Sequence, residues 1–365
     1  MASKFFHSLK SLFGSESYLG IDIGTTSIKL AEISRAGLAG NRPALKNYGI
    51  LETYGHLERI NDAIQTPSLK MFEGTTVELL KILLRNTRVK SKEAVASLPA
   101  FSSFVTLLEI PLMPKDEVEK TMYYQARQYI PLPLSEVSLD WTIVGERDTP
   151  EGLKRQQVLL ISVPTEIIKK YQNIFAAAGL NLIALELETI SSARILVGNE
   201  PVLTLILDIG ARSTSISIVE RGLLKTMSVF DIGGANLTQA IANGLGINVR
   251  RAEDLKKTRG LEVVGAEADL PTLLFPFIDV MINEVRRVRD LFERSYGRRP
   301  ERLILSGGEA NLPGLRKYIE EQLSLPVLKA DPFSKINYPD KLEPLVGELG
   351  PLLAIALGLS IREVI

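Results

Sequence analysis

Asp22-Ile-Gly-Thr-Thr-Ser27 gathers a carboxylate, a glycine and the hydroxyls of Thr25, Thr26 and Ser27 into six residues. Gly24 lets backbone turn tightly or approach a ligand closely, and the hydroxyls can donate to phosphate oxygens. A carboxylate repels phosphate, so the role open to Asp22 is to hold Mg²⁺ or a magnesium-bound water. Lys29, just beyond, reads either as a point charge for an anion or as a solvated strand lysine. Alone, this segment is an ordinary hairpin turn. Asp208-Ile-Gly-Ala-Arg-Ser-Thr214 repeats it about half a chain length later, with Gly210, Ala211, Arg212, Ser213 and Thr214 in the turn. Two such hairpins can clamp a polyphosphate from both sides, with a magnesium ion between Asp22 and Asp208. A third element, Ser306-Gly307-Gly308-Glu309-Ala310-Asn311, has glycines that admit a flat ligand and precedes a helix, whose N-terminal amides favour anions.

These residues must be held by elements whose periodicity is visible. Tyr18–Ile33 reads as two strands around the first turn, and Leu203–Val219 as two around the second. Between them, Ser102–Pro111, Val137–Val144 and Gln157–Val163 read as strands, and Lys115–Tyr129 and Thr165–Ala178 as helices. Glu188–Leu196, Gly233–Leu245, Val249–Lys257, Asp269–Tyr296, Leu312–Leu323 and Gly347–Leu359 have helical spacing, and Arg302–Leu305 reads as a strand. Strands alternating with helices at these lengths predict an α/β fold with two related halves. Exposed connections are expected at Ala36–Pro43, Glu146–Lys154 and Pro326–Lys341. The head places Phe5, Phe6, Leu9, Leu12 and Phe13 on one helical face, suited to docking on the protein's own body or on a partner.

Composition excludes several classes. At 365 residues the chain has room for two or more domains. Lys+Arg 43 balances Asp+Glu 43, which argues against nucleic-acid binding driven by bulk charge. Without cysteine there is no disulfide framework, thiolate metal site or cysteine nucleophile. The two histidines, His7 and His56, match no zinc-site spacing, and a Ser-His-Asp hydrolase would be hard to assemble from them. No apolar run is expected to approach the roughly 20 residues of a membrane span, and the reading is cytoplasmic.

The two hairpins and Ser306-Gly-Gly resemble the first phosphate, second phosphate and adenosine motifs of the actin, heat-shock chaperone and sugar-kinase superfamily of ATP-binding proteins. Within it, nearly the whole chain is similar to the PilM family of type IV pilus assembly. The specific signals are Asp-Ile-Gly-Thr-Thr-Ser-Ile-Lys-Leu-Ala-Glu32, Gln128-Tyr-Ile-Pro-Leu-Pro-Leu-Ser-Glu-Val-Ser-Leu-Asp-Trp141 and Ile232-Gly-Gly-Ala-Asn-Leu-Thr-Gln-Ala-Ile241.

The resemblance implies an actin-like ATPase fold with an inserted subdomain of the kind found in the division protein FtsA. It divides the chain into a head (1–17), a first large subdomain (18–101, returning at 186–200) and an insert (102–185). A second large subdomain (201–235 and 302–344), a smaller one (236–301) and a closing helix (345–365) follow. ATP and Mg²⁺ are the implied cofactors. Glu253, with Lys256 or Lys257, is cast in the adenosine pocket, the bland alternative being a solvated helix face. Gly233, Gly234 and Asn236 open a helix near the expected phosphates, although Asn is also an ordinary capping residue. Glu188-Thr-Ile-Ser-Ser-Ala193 resembles a chaperone-ATPase helix start whose acid orients an attacking water, and the alternative is a first-turn acid complementing the helix dipole. The implied role is a scaffold with weak or no ATPase activity, held at the inner face of the cytoplasmic membrane through partners. The implied partner is the cytoplasmic N-terminal peptide of a PilN-like membrane protein, bound near Ser102–Pro111 and Lys115–Tyr129, with self-association open. An FtsA-like filament protein, a type II secretion component and a small-molecule kinase are the competing expectations.

Overall fold

The computed structural model describes residues 17–35, 42–52, 73–148, 152–262 and 270–364. The expected amphipathic head, both histidines and most of the Ala36–Pro43 connection lie outside them.

In chain order the first half contains β1 (Ser17–Ile23), β2 (Ser27–Ser34), β3 (Ala44–Glu52), α1 (Glu73–Thr87) and β4 (Glu93–Leu98). Then come β5 (Phe104–Pro111), α2 (Lys115–Tyr129), β6 (Val137–Asp148) and β7 (Lys154–Pro164), followed by α3 (Thr165–Ala177), β8 (Asn181–Leu187) and α4 (Glu188–Leu196). The second half has β9 (Thr204–Ile209), β10 (Thr214–Glu220), β11 (Leu223–Phe230), α5 (Gly234–Leu245), α6 (Val249–Arg259) and α7 (Leu270–Tyr296). It ends with β12 (Arg302–Gly307), α8 (Leu315–Leu323), β13 (Val327–Lys329) and α9 (Val346–Ser360).

The two five-stranded sheets have one topology: β3-β2-β1-β4-β8 and β11-β10-β9-β12-β13. In each, the first three strands are antiparallel and the fourth and fifth run parallel to the first. The central strands β1 and β9 are almost wholly buried, which explains their continuous apolar runs, since both faces of the sheet are covered. A duplicated sheet puts both hairpin tips at the carboxyl ends of central strands, where open α/β sheets bind ligands.

The strands β5, β7 and β6 form a separate antiparallel sheet. Val118, Met122 and Ala126, four residues apart on α2, bury against Leu108, Ile110, Val158 and Leu160, giving this layer its own core. The structure differs here from the expected insert: β8 pairs in parallel with β4, and α3 contributes Tyr171, Ile174 and Phe175 to the first-half core. The three-stranded layer thus spans Phe104–Pro164, because a parallel partner for β4 needs a crossover helix to return the chain, and Val144, Leu159, Ile161 and Val163 of the layer join the first-half core.

The segment Pro326–Lys341 is not an exposed connection. It pairs β13 with β12 and buries Val327, Ala330, Phe333 and Ile336. The segment Asp340–Ser360 also corrects the expectation about apolar runs: its 21 helical residues are long and apolar enough to cross a membrane. They serve instead as a core element, with Leu353, Ala354, Ala356, Leu357 and Leu359 fully buried in α9. Each buried leucine is worth about 1.5–3 kcal/mol. Gly20 of β1 and Gly358 of α9 permit this packing, because a Cβ would lie 1.9 Å from Ala356 O in one case and 2.2 Å from Ser191 O in the other.

Candidate functional site

Both hairpins close through the same main-chain bond, Gly24 N to Ser27 O at 2.8 Å and Gly210 N to Ser213 O at 3.0 Å. Asp22 is buried; Ser97 Oγ of β4 donates to its Oδ1 at 2.7 Å, and Lys29 Nζ lies 3.4 Å from Oδ2. Asp208 stands level with Ser306 across the β9–β12 pairing.

The start of α5 grips the second hairpin. Gly234 N and Ala235 N donate to Gly210 O and Ala211 O at 2.9 and 2.8 Å, so these two helix amides are committed to the protein. Asn236 Oδ1 accepts from Gly233 N at 2.9 Å and closes the helix cap, while Thr214 Oγ1 donates to Ile232 O. At the third element, Gly307 has φ 86° and a Cβ there would meet Ile209 O at 2.4 Å, so the chain needs glycine. The Ser306 hydroxyl is buried with no hydrogen-bond partner in the described residues.

Opposite the hairpins, Lys256 is 2% exposed and its Nζ serves three acceptors: Glu309 Oε1 at 2.7 Å, Glu253 Oε2 at 2.9 Å and Gly234 O at 3.1 Å. Thr238 Oγ1 donates to the same Glu253 carboxylate. Burial pushes the Glu253 carboxyl up, but Lys256, Thr238 and Lys257 outweigh it and hold the group below its ordinary range. Burial likewise works against the Lys256 ammonium, and Glu309 and Glu253 outweigh it to raise its pKa. Lys256 is therefore a fixed internal cation, whereas Lys257 reaches across the cleft to Glu52 Oε1 at 3.5 Å.

These elements enclose a cavity of about 450 Å³, lined among others by Thr26, Ser27, Lys29, Ala211, Gly234, Glu253, Lys256, Lys257, Gly308 and Glu309. That volume suits a nucleotide-sized ligand. A smaller recess of about 50 Å³ has Asp22, Gly24, Glu188, Asp208, Gly210, Ser213 and Gly307 among its walls, with Lys29 and Gly308 shared by both. Thr25, Arg212, Thr214, Gly233, Asn236 and Ser306 line neither. Arg212 lies elsewhere, its guanidinium 4.5 Å from the Phe101 ring centre. Among the described residues no group of three or more His, Asp or Glu is placed to hold a metal, so Asp22 and Asp208 face the recess as a pair. Glu188 Oε1 accepts from Ala100 N at 3.1 Å, at the mouth of the insert.

Asn311, the last residue of the third element, also lines the large cavity, whereas sequence reasoning missed Glu52, Lys329, Glu348 and Leu352 there and Ser97 behind Asp22. It also missed Tyr171, whose buried hydroxyl finds no hydrogen-bond partner among the described residues. Burial, then the charges of Asp22 and Glu188, push this phenol far above its ordinary range. Ser97 and Lys329 reach their places through parallel pairings, Glu348, Leu352 and Tyr171 on helices from other segments, and Glu52 opposite Ser27 on the antiparallel strand β3.

Comparison with known proteins gives a consistent result. The structure is similar to one solved as a PilM-PilN type IV pilus biogenesis complex, with a TM-score of 0.81 and 25% identity over 96% of this chain and 99% of that one. Ethanolamine utilization protein EutJ from Carboxydothermus hydrogenoformans shares the fold at TM-score 0.54, with 17% identity over 94% of this chain and 89% of its own. MreB5 of Spiroplasma citri, solved bound to ADP, does so at 0.51, with 13% identity over 94% and 95%. The cell division protein FtsA of Bacillus subtilis is 27% identical over 146 residues, 35% of this chain and 33% of that protein's length. The last three are likenesses of fold: an actin-like ATPase architecture. The family described as type IV pilus assembly protein PilM matches residues 20–364, and the chain belongs to that family.

Proposed function

We propose that this PilM-family protein binds ATP with Mg²⁺ in the cleft and acts as a scaffold that holds the N-terminal peptide of a PilN-like membrane protein. The observation that supports nucleotide binding best is the convergence of two hairpin tips and the Gly307-Gly308 turn, from separate parts of the chain, on a cavity and a recess that share Lys29, Gly308 and Leu352. The donors suit such a ligand. Lys29, Thr26 and Ser27 offer charge and hydroxyls to phosphates. Glu253 is the group for ribose hydroxyls, held in place by Lys256 and Thr238. Bound Mg²⁺ would neutralise phosphate charge, and Asp22 and Asp208 are the residues to hold it or its waters. Ser97 orients the Asp22 carboxylate for that task.

Glu188 is the candidate for orienting an attacking water, but part of its carboxylate is engaged by Ala100 N. Slow turnover or none follows from so thin an apparatus. The partner reading rests on family membership and on the 25% identical complex, and it places the protein at the inner face of the cytoplasmic membrane through PilN. The test is calorimetry on nucleotide-stripped protein, with ATP and Mg²⁺ and with a synthetic peptide of the cognate PilN N-terminus against a scrambled control. Binding of ATP and of the native peptide alone is expected. No heat with ATP removes the cofactor assignment, and equal binding of both peptides removes the scaffold mechanism.

A further inference from the structure

The insert has a core of its own, shares Val144, Leu159, Ile161 and Val163 with the first-half core, and is entered and left by the chain at Pro99–Ser103 and Pro164–Thr165. Polar contacts with the second half lie beside an apolar one, in which Val144, Leu159 and Ile161 share a buried cluster with Val219 and Leu224. Lys225 Nζ of β11 donates to Val144 O of β6 at 2.5 Å, and the Arg147 guanidinium lies 5.2 Å from the Tyr296 ring centre at the end of α7. Another contact is at the first crossing, where Phe101 stacks against Arg212. Arg212 is 7% exposed and its Nε lies 3.8 Å from Asp231 Oδ1. Such polar and cation–ring contacts rearrange at smaller cost than a packed apolar core.

The position of Phe101 is the informative part. It sits in a short turn, Ala100–Ser102, between β4 and β5. On the first-half side this turn is held by the Glu188 carboxylate through Ala100 N, and Ser97, which grips Asp22, is on the strand just before it. On the second-half side it meets Arg212, which belongs to the Asp208 hairpin. That hairpin cannot yield locally, because α5 fixes its tip through Gly210 O and Ala211 O. The second hairpin therefore meets, at the entry to the insert, the end of the strand whose Ser97 holds Asp22. A groove of about 330 Å³ beside it, between Phe104–Val105 and Met227–Asp231, leaves room for displacement.

We propose that Phe101 couples the hairpins to the insert: a nucleotide drawing the second hairpin toward the first carries Arg212 with it and resets the insert through the Phe101 ring. The inference rests on the nucleotide reading and adds to it a route by which the cleft governs the partner-binding layer. Coupling of this kind is reciprocal, so a ligand on the insert alters nucleotide affinity by the same factor.

The test is hydrogen exchange on the full chain with and without ATP and Mg²⁺, read at Phe104–Pro111 and Val137–Asp148. In the wild type, ATP should slow exchange there by at least about fivefold, the lower end of ordinary coupling. Phe101→Leu keeps apolar volume but removes the ring face. It should bind ATP within about twofold of wild type and lose most of the slowing, while Phe101→Tyr, which restores a face for Arg212, should recover it. Lys225→Met breaks a different contact and should weaken the slowing even if the turn variants fold poorly. Equal slowing in wild type, Phe101→Leu and Lys225→Met, or ATP binding with no slowing in the insert, overturns the relay and leaves the nucleotide reading intact. Absence of ATP binding to the wild type overturns both.

Discussion

Lys256→Met removes the one cation that Glu253, Glu309 and Gly234 O share. Taking one partner from a buried ionic cluster costs about 3–5 kcal/mol, because the remaining charges stay buried without compensation. Here the lower end applies, since the Glu253 and Glu309 side chains keep 12% and 11% exposure and water can reach them. A loss near 3 kcal/mol should lower the melting temperature of the second half by roughly 6–12 °C. The pH dependence supplies a sharper test. In the wild type, Glu253 titrates below its unfolded value, so its contribution is present above about pH 4.5 and is lost as pH falls through the lower folded value. In the variant only Thr238 and the exposed Lys257 remain to offset burial and the facing Glu309 carboxylate, and the folded form of Glu253 takes up a proton more readily than its unfolded form. Variant stability should therefore rise as pH falls from 7 toward 5, while the wild type gains nothing there. Thermal melts at pH 5, 6 and 7 read this directly. A variant within 1 °C of wild type at pH 7, or a gap that widens on acidification, would refute the reasoning.

Gly234→Ala places a methyl 1.9 Å from Glu309 Oε1, so it should expel that carboxylate from Lys256 and weaken ATP binding more than tenfold by calorimetry. Ser97→Ala should cost about 1 kcal/mol of stability by removing the hydroxyl bond to Asp22, and magnesium dependence of ATP binding should shift to higher concentration. Glu188→Gln should leave ATP affinity nearly unchanged while lowering any turnover measured by phosphate release, and equal turnover would leave it as the anchor of Ala100.

The antiparallel hairpins were legible because their strands alternate or run apolar into turns rich in glycine and hydroxyls, and both appear where expected. Helix α2, with its apolar residues four apart, starts and stops at the expected Lys115 and Tyr129. Harder to read were β4 and β8, whose pairing partners lie far along the chain and whose ends carry no tight-turn signal. In the site, the spacing of Glu253 and Lys256 shows that they can meet on one helix, but nothing local announces Glu309 as the second acid. Arg212 was grouped with ligand-binding residues by adjacency to Ala211 and Ser213, whereas its side chain turns to Phe101 on the other side of the hairpin. Chain neighbours share a turn without sharing a direction.

The close approach of α9 to β1 bears on how a cell makes this protein. Gly20 near the beginning and Ala356 near the end meet backbone to side-chain position, so the earliest strand is covered by one of the latest helices. While ribosomes are still translating, the first sheet has emerged with one apolar face bare, and it stays bare until Val346–Ser360 leave the exit tunnel. At about 5–20 residues per second, the roughly 170 residues made between Leu187, which completes the sheet, and Ser360 keep that face open for roughly 9–35 s. During this interval the nascent first half is a substrate for chaperones, whereas the second half, whose core is assembled from Leu203 to Val327, closes earlier.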